Sequence, residues 1–412
     1  MPDNVREAFD KPPGRVSLAA MTKLSKRIRG LTAGTGDGWS IHRRAVRLRA
    51  QGMPVIDLTV GEPDVRTDPE ILSAMDAAAR GGHTGYSAIP GTDALRDAIA
   101  ARVEERTGVR TARGNVLVTP GGQSALFSAL MAATDPGAEV LFPDPFYATY
   151  PGTIRAASAA PVRVPTRASG GFQPAEAFLR AGLTDRTSAM LVNSPNNPTG
   201  AVYSRATFDA IARVARDADL WLISDEVYDT QVWSGDHLSP RALPDMADRT
   251  LVVGSMSKSH AMTGSRVGWL IGPETAIDRI ADLSTHTTYG IPGFVQDAAL
   301  HALSLGRAFE ERIAAPFRRR RDACLARLAG QQVVGVIPSG GAMYVMLDIR
   351  ATGLPGLDFA TRLLDHHHVA VMPGESFGDA AAGHVRVALT RPDHELLAAI
   401  DTIVALAGKM IP

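Results

Sequence analysis

The sequence is short of the features that would mark it for an oxidising compartment, a membrane or a polyanion. Among its 412 residues there is one cysteine, Cys324. That excludes an intramolecular disulfide framework and a cysteine-built zinc site, fits a reducing compartment and makes Cys324 a buried helix residue. Forty-three basic residues balance forty-three acidic ones, so no net field favours nucleic acid or an anionic membrane surface. No apolar run approaches the roughly 18 residues of a membrane-spanning helix. The first thirty residues alternate charge, proline and glycine without the apolar stretch of a signal peptide. What remains is 45% hydrophobic and 21% charged, an ordinary globular composition, long enough for a large domain and a smaller one. A cytoplasmic protein that handles small molecules is the expectation, with no nucleic-acid, membrane or metal partner.

From residue 55 to about 293, short apolar runs (NVLVTP, EVLFPDP, AMLVNSP, LWLISDE, TLVVGSMS) alternate with longer stretches of helical period. Apolar runs without strict alternation suit strands buried on both faces, and helices between them imply an α/β fold with a mostly parallel sheet. Such sheets bind ligands at the carboxyl ends of their strands, where each of these runs ends in polar residues. After residue 293 a long helical stretch, short strands and a closing helix predict a second, smaller α+β domain. The helix SIHRRAVRLRAQG joins it, so that residues 36–54 and 294–412 form the small domain, 55–293 the large one and 1–35 a flexible arm. Arg318 to Arg321 lie in the long helix beside Glu310, Glu311 and Asp322, which predicts a solvated face. His366, His367 and His368 fall at a helix end before a strand and need no metal.

Lys258 stands in SMSKSHAMTGSRVG with Ser255, Ser257 and Arg266 around it. A catalytic amine must be neutral part of the time, which nearby cations or a dry pocket favour. Arg266, fixed in charge and forked, suits a phosphate, and the two serines add donors. Four other strand ends complete the pattern. In TPGGQSALFSAL, Gly122 and Gln123 open a helix whose amides and dipole would hold a phosphate; a plain tight turn accounts for that stretch equally well. In LWLISDEVYD, Asp225 follows a very apolar strand, where a carboxylate needs a cation such as a protonated pyridine nitrogen. Tyr228 turns its hydroxyl back toward the same ring, and Glu226 is structural. In LVNSPNNPTG, Asn197 offers an amide donor, or the segment is simply a turn. In DPFYATYP, Tyr147 lies on the ring or in the core. Pyridoxal 5′-phosphate fits this set.

These stretches, in this order, resemble the class I/II aminotransferases of the type I pyridoxal-phosphate fold, over nearly the whole chain. The resemblance implies a seven-stranded, mostly parallel sheet between helices in the large domain. The family pattern SxSKxxxxxGxRxG falls on Ser255, Ser257, Lys258, Gly264, Arg266 and Gly268, and makes Lys258 the lysine that bonds the cofactor. Asn197, Asp225 and Tyr228 fall on ring-contacting positions. LTVGEPD resembles the loop whose glycine, Gly61, lies against the substrate carboxylate, and Arg386 in GHVRVAL matches the arginine that grips the α-carboxylate. Tyr86 in GYSAIPGTDALR matches a tyrosine that reaches the cofactor phosphate of the partner subunit, which implies a homodimer with shared sites.

The implied reaction is ping-pong transamination between an L-amino acid and a 2-oxo acid. Where aspartate-specific relatives carry a cation for the second carboxylate, this sequence has His286 or Gln123. GWSIHRRA, SKSHAMTGSRVGW and GGAMYVMLDIRATGL resemble the bacterial arginine:pyruvate subgroup, which makes arginine and pyruvate the leading pair and puts Trp39 near the entrance or in the packing. An aspartate- or aromatic-type aminotransferase, a carbon–sulfur β-lyase on the same fold and a non-catalytic sensing module are the alternatives.

Overall fold

The computed structural model describes residues 24–32 and 39–410. Most of the expected arm therefore lies outside the described residues. Its described part forms a short helix, Lys26–Gly30, capped by Ser25, and the Leu31 carbonyl accepts a hydrogen bond from Arg155 Nη1 at 3.2 Å.

Seven strands form the main sheet, in the order Val116–Thr119, Gly268–Ile271, Thr250–Ser255, Trp221–Asp225, Thr187–Asn193, Glu139–Asp144 and Ala160–Pro165. Six run in one direction; Gly268–Ile271 is antiparallel to both its neighbours. The two strands that the apolar runs do not mark are this one and Ala160–Pro165. The first is only the four residues GWLI, directly after the loop HAMTGSRV, and the second is a half-exposed edge strand that needs no apolar run.

Successive residues of the central strands serve opposite faces, as the pleat requires. Leu191, Ile223 and Val253 pack with Leu126, Leu130 and Ile154 on one side. Met190, Val192 and Leu222 pack with Phe208 and Ile211 on the other. Both faces are dry, so the polar groups at the strand ends sit at the rim of an apolar slab.

A second sheet of four antiparallel strands runs Met372–Pro373, His384–Ala388, Tyr344–Asp348, Gly335–Val336. Helix Ser40–Ala50 sends Ile41 and Ala45 into the apolar cluster of this sheet, beside Phe359 and Leu363. Helix Gly293–Ser304 goes the other way: Val295, Ala298 and Ala302 pack with Val116, Ile99 and Trp269 at the main sheet. Helix Gly306–Leu328 spans both groups, with Phe309 and Ile313 in one cluster and Phe317, Cys324 and Leu328 in the other. Burial pushes the Cys324 thiol up to about 12.

The arginine run departs from the expected solvated face. Arg318 and Arg319 are exposed, but Arg320 is only 6% exposed. Its guanidinium forks onto Asp64 at 2.8 and 2.7 Å and reaches Asp393 at 3.1 Å. A helix facing a second layer has no free side at that position, so the cation is buried against carboxylates that are distant in sequence. His366 and His367 end helix Gly356–His367, and His368 follows in the left-handed conformation, as a helix terminus requires.

Candidate active site

Strand Thr250–Ser255 ends extended at Ser255, whose hydroxyl accepts the Ser257 N–H at 3.1 Å and starts the four-residue helix Met256–Ser259. This cap turns Lys258 into the interior. Burial, aided by the charges of Arg266 and Arg386 and opposed by Glu62, lowers its amine to about 8. Nζ donates to the Gly61 carbonyl at 2.6 Å.

Two residues past strand Val116–Thr119, Gly121 has φ +79 and Gly122 begins helix Gly122–Ala133. The space that a β-carbon on Gly121 would take is filled by the Arg266 guanidinium. Arg266 itself has φ +52, a conformation that a non-glycine residue adopts only when its surroundings impose it. Ser255 Oγ also donates to Ser257 Oγ at 3.0 Å. A helix start, two hydroxyls and a guanidinium therefore meet at one corner, with the donors and positive field that an anion needs.

Asp225 ends the next strand, in register with Asn193, whose amide donates to the Asp225 carbonyl at 2.9 Å. Burial pushes the Asp225 carboxyl up to about 6, against the hydrogen bonds that it accepts. Oδ2 accepts the Tyr150 hydroxyl at 2.7 Å, while among the described residues Oδ1 has only the Val227 N–H at 3.4 Å. That oxygen has room for a cationic N–H. Tyr147 stands edge-on to Tyr150, with ring centroids 5.7 Å apart.

Arg386 lies in the middle of its strand, paired on both sides, so it is no strand-edge surface cation. Nη1 donates to Asn197 Oδ1 at 2.8 Å and Nη2 to the Thr59 carbonyl. Nε is buried with no partner among the described residues. Two aromatic rings hold the guanidinium, Tyr344 at 4.3 Å and Phe377 at 4.5 Å from Cζ to the ring centroid. Tyr228 is buried, with its hydroxyl 2.9 Å from that of Tyr344.

A buried amine with lowered basicity, a phosphate corner, a carboxylate short of a donor and a guanidinium with a spare one converge on the segment Thr59–Gly61 and the strand ends around it. Pyridoxal phosphate presents the matching groups: an aldehyde, a phosphate and a basic ring nitrogen. The sequence model of aminotransferase class I and II matches residues 53–403. The chain is a class I and II aminotransferase. It depends on pyridoxal 5′-phosphate, as that family does, and acts on amino and oxo acids.

An arginine–pyruvate transaminase of Pseudomonas aeruginosa is 41% identical over 379 residues, covering 91% of this chain and 96% of that protein. An aspartate/prephenate aminotransferase of Thermus thermophilus is 36% identical over 393 residues, covering 94% and 100%. The aspartate aminotransferase from Thermus thermophilus solved with maleate superposes with a TM-score of 0.87 at 35% identity, covering 93% of this chain and 99% of that one.

Not every expected position of the aminotransferase joins the cluster. Gln123 follows Gly122 in the helix but turns its amide to Thr153 at 2.8 Å. His286 is exposed at the end of helix Glu274–Thr285. Tyr86 is 91% exposed, paired edge-on with Tyr289 at 5.1 Å between centroids. Trp39 packs beside the cluster of Phe377, Met346 and Met372. Glu226 is structural: it accepts from Ser224 and Ser239 at 2.8 Å each and lies 2.9 Å from His237 Nε2. Sequence reasoning missed Tyr150, Tyr344 and Glu62. Tyr150 stands three residues after Tyr147 in a quoted motif, and Glu62 is adjacent to Gly61, so their neighbours could have flagged them. Tyr344 lies in GGAMYVMLDIRATGL, a stretch that points to the subgroup but assigns no task to the tyrosine.

Proposed function

We propose that Lys258, Asp225, Tyr228, Asn197, Arg266 and Arg386 form the active site of this aminotransferase, with arginine as amino donor and pyruvate as acceptor. The observation that carries the site is the meeting of two distant cations on one short loop: Lys258 bonds the Gly61 carbonyl and Arg386 the Thr59 carbonyl. An amine and a carboxylate grip so placed can act on the two ends of one amino acid.

When bound, the cofactor supplies an aldehyde that exchanges amino groups and a ring that draws electrons from the adjoining carbon. The chain does the rest. Ser255, Ser257, Arg266 and the Gly122–Gln123 helix start would hold the phosphate. Asp225, kept in place by Tyr150, would pair with the ring nitrogen, with Tyr147 beside it. Tyr228 and Asn197 would donate to the phenolic oxygen. Arg386, with its fork fixed by Asn197 and two aromatic faces, orients the α-carboxylate above Gly61. With its amine near 8, Lys258 is neutral in about a tenth of molecules at pH 7. It moves the proton at the substrate's α-carbon. The donor leaves as a 2-oxo acid before the acceptor enters.

The 41% identical transaminase favours arginine and pyruvate. Neutral Gln123 and exposed His286, where dicarboxylate-specific relatives carry a cation, argue against aspartate. Residues 55–293 form the unit that holds the cofactor. Residues 36–54 and 294–412 form the smaller unit, although helix Gly293–Ser304 packs with the larger one. Exposed Tyr86 reaches the phosphate of a second copy, so the working form is a homodimer with shared sites. The test is to mix the purified holoenzyme with a panel of amino acids and pyruvate. Arginine is consumed fastest, and Lys258→Ala abolishes both turnover and the cofactor's lysine-bound absorbance. Aspartate consumed in preference to arginine removes the donor assignment.

A further inference from the structure

Tyr344 touches four residues that have separate tasks in the site. It opens the strand antiparallel to that of Arg386 and is 2% exposed. Its hydroxyl accepts from Asn197 Nδ2 at 3.4 Å and lies 2.9 Å from the Tyr228 hydroxyl. Its ring face carries the Arg386 guanidinium. Its phenol also fills the space that a β-carbon on Gly61 would need, so the glycine of the substrate loop and this tyrosine fit as a pair.

Two hydroxyls 2.9 Å apart share one proton between them. Either hydroxyl can donate in that pair; in the arrangement where the Tyr344 oxygen keeps only the Asn197 bond, Tyr344 donates to the Tyr228 oxygen. The Tyr228 proton is then free to point away from Tyr344 and into the site. A hydroxyl that accepts one hydrogen bond donates more strongly, because bonds in a chain polarise one another.

We propose that Tyr344 is a positioning residue with two parts: its hydroxyl acts through Tyr228, aiming and strengthening that donor toward the cofactor's phenolic oxygen, and its ring sets the plane of Arg386 for the substrate carboxylate. The proposal rests on the assignment of Tyr228 as a donor to that oxygen. The stretch GGAMYVMLDIRATGL gives the tyrosine no task; the role comes from contacts with Tyr228, Asn197 and Arg386 that are distant in sequence.

The test is a pH titration of the visible absorbance of the cofactor-loaded enzyme, in the wild type, Tyr344→Phe, Tyr228→Phe and the double variant. Weaker donation leaves more negative charge on the phenolic oxygen, which holds the neighbouring proton more tightly and raises the midpoint. Tyr344→Phe raises it by about half to one unit, the effect of one ordinary hydrogen bond. It leaves KM for the amino donor within about twofold, since the ring beneath Arg386 stays. In the Tyr228→Phe background the same change adds no further rise. Tyr344→Leu, which removes the ring as well, raises KM about tenfold. An unmoved midpoint in Tyr344→Phe, or a full additional rise in the double variant, overturns the action through Tyr228; an unchanged KM in Tyr344→Leu overturns the platform. Failure of the underlying assignment looks different: Tyr228→Phe itself would leave the midpoint unmoved.

Discussion

Replacing Asp225 with Asn moves stability and turnover in opposite directions, and the size of the first effect follows from the burial of its carboxyl. Burial pushes the carboxyl from 3.8 up to about 6. Between those two values the folded cofactor-free protein holds a proton that the unfolded chain has lost. The stability gained from that proton is complete below about pH 4 and is lost as pH rises through about 6. Above pH 6 the folded state carries a buried carboxylate at a cost of about 3 kcal/mol, two pKa units at about 1.4 kcal/mol each. Asparagine keeps the shape and can still accept the Tyr150 hydroxyl, but never carries the charge. Urea unfolding of the two cofactor-free proteins is the assay. At pH 7.5 Asp225→Asn is the more stable by about 3 kcal/mol, at pH 5 by about half of that, and at pH 4 by less than about 1 kcal/mol. Loaded with cofactor, the same variant loses at least about 100-fold in turnover, because the ring nitrogen has lost its counter-charge. A cofactor-free variant that is less stable than the wild type at pH 7.5, or a difference that does not shrink with acid, refutes the account of Asp225 as a charge held in reserve for the ring.

Three further outcomes follow from the same geometry. Only the neutral Lys258 amine attacks an aldehyde, so the rate at which cofactor-free protein takes up cofactor rises with pH with a midpoint near 8; stopped-flow absorbance measures it, and a flat profile between pH 7 and 9 contradicts the depressed amine. Gly121→Ala forces a β-carbon into the Arg266 guanidinium at a left-handed φ, which weakens cofactor affinity at least about tenfold in equilibrium titration and costs about 1–2 kcal/mol of stability. Arg320→Ala leaves Asp64 without its fork and destabilises the protein by about 2–3 kcal/mol in chemical denaturation, with loss below about 0.5 kcal/mol speaking against a buried clamp.

Legibility divided by how local each feature is. Lys258, Asp225, Asn197 and the Gly121–Gly122 turn sit where a strand ends and a helix or turn begins, a junction that glycines, serines and prolines mark within a few residues. The helical arginine run misled for the opposite reason. Arg318 to Arg321 read alike along the chain, and only tertiary packing, with Asp64 taking the fork of Arg320, separates buried Arg320 from exposed Arg318 and Arg319. The reversed strand Gly268–Ile271 was hidden because four apolar residues after a loop carry no direction.

By itself the sequence determined the class of fold, the cofactor chemistry and most of the groups proposed to meet it, because strand period, turn residues and motif spacing are properties of neighbouring positions. Tertiary structure alone decided which side chains hold those groups in place. Tyr344 reaches Tyr228, Asn197 and Arg386, and Tyr150 reaches Asp225, across separations of tens to hundreds of residues. Contacts of that kind arise when two sheets and a long helix bury their apolar faces together, and no local pattern encodes which polar atoms that burial brings within hydrogen-bond reach.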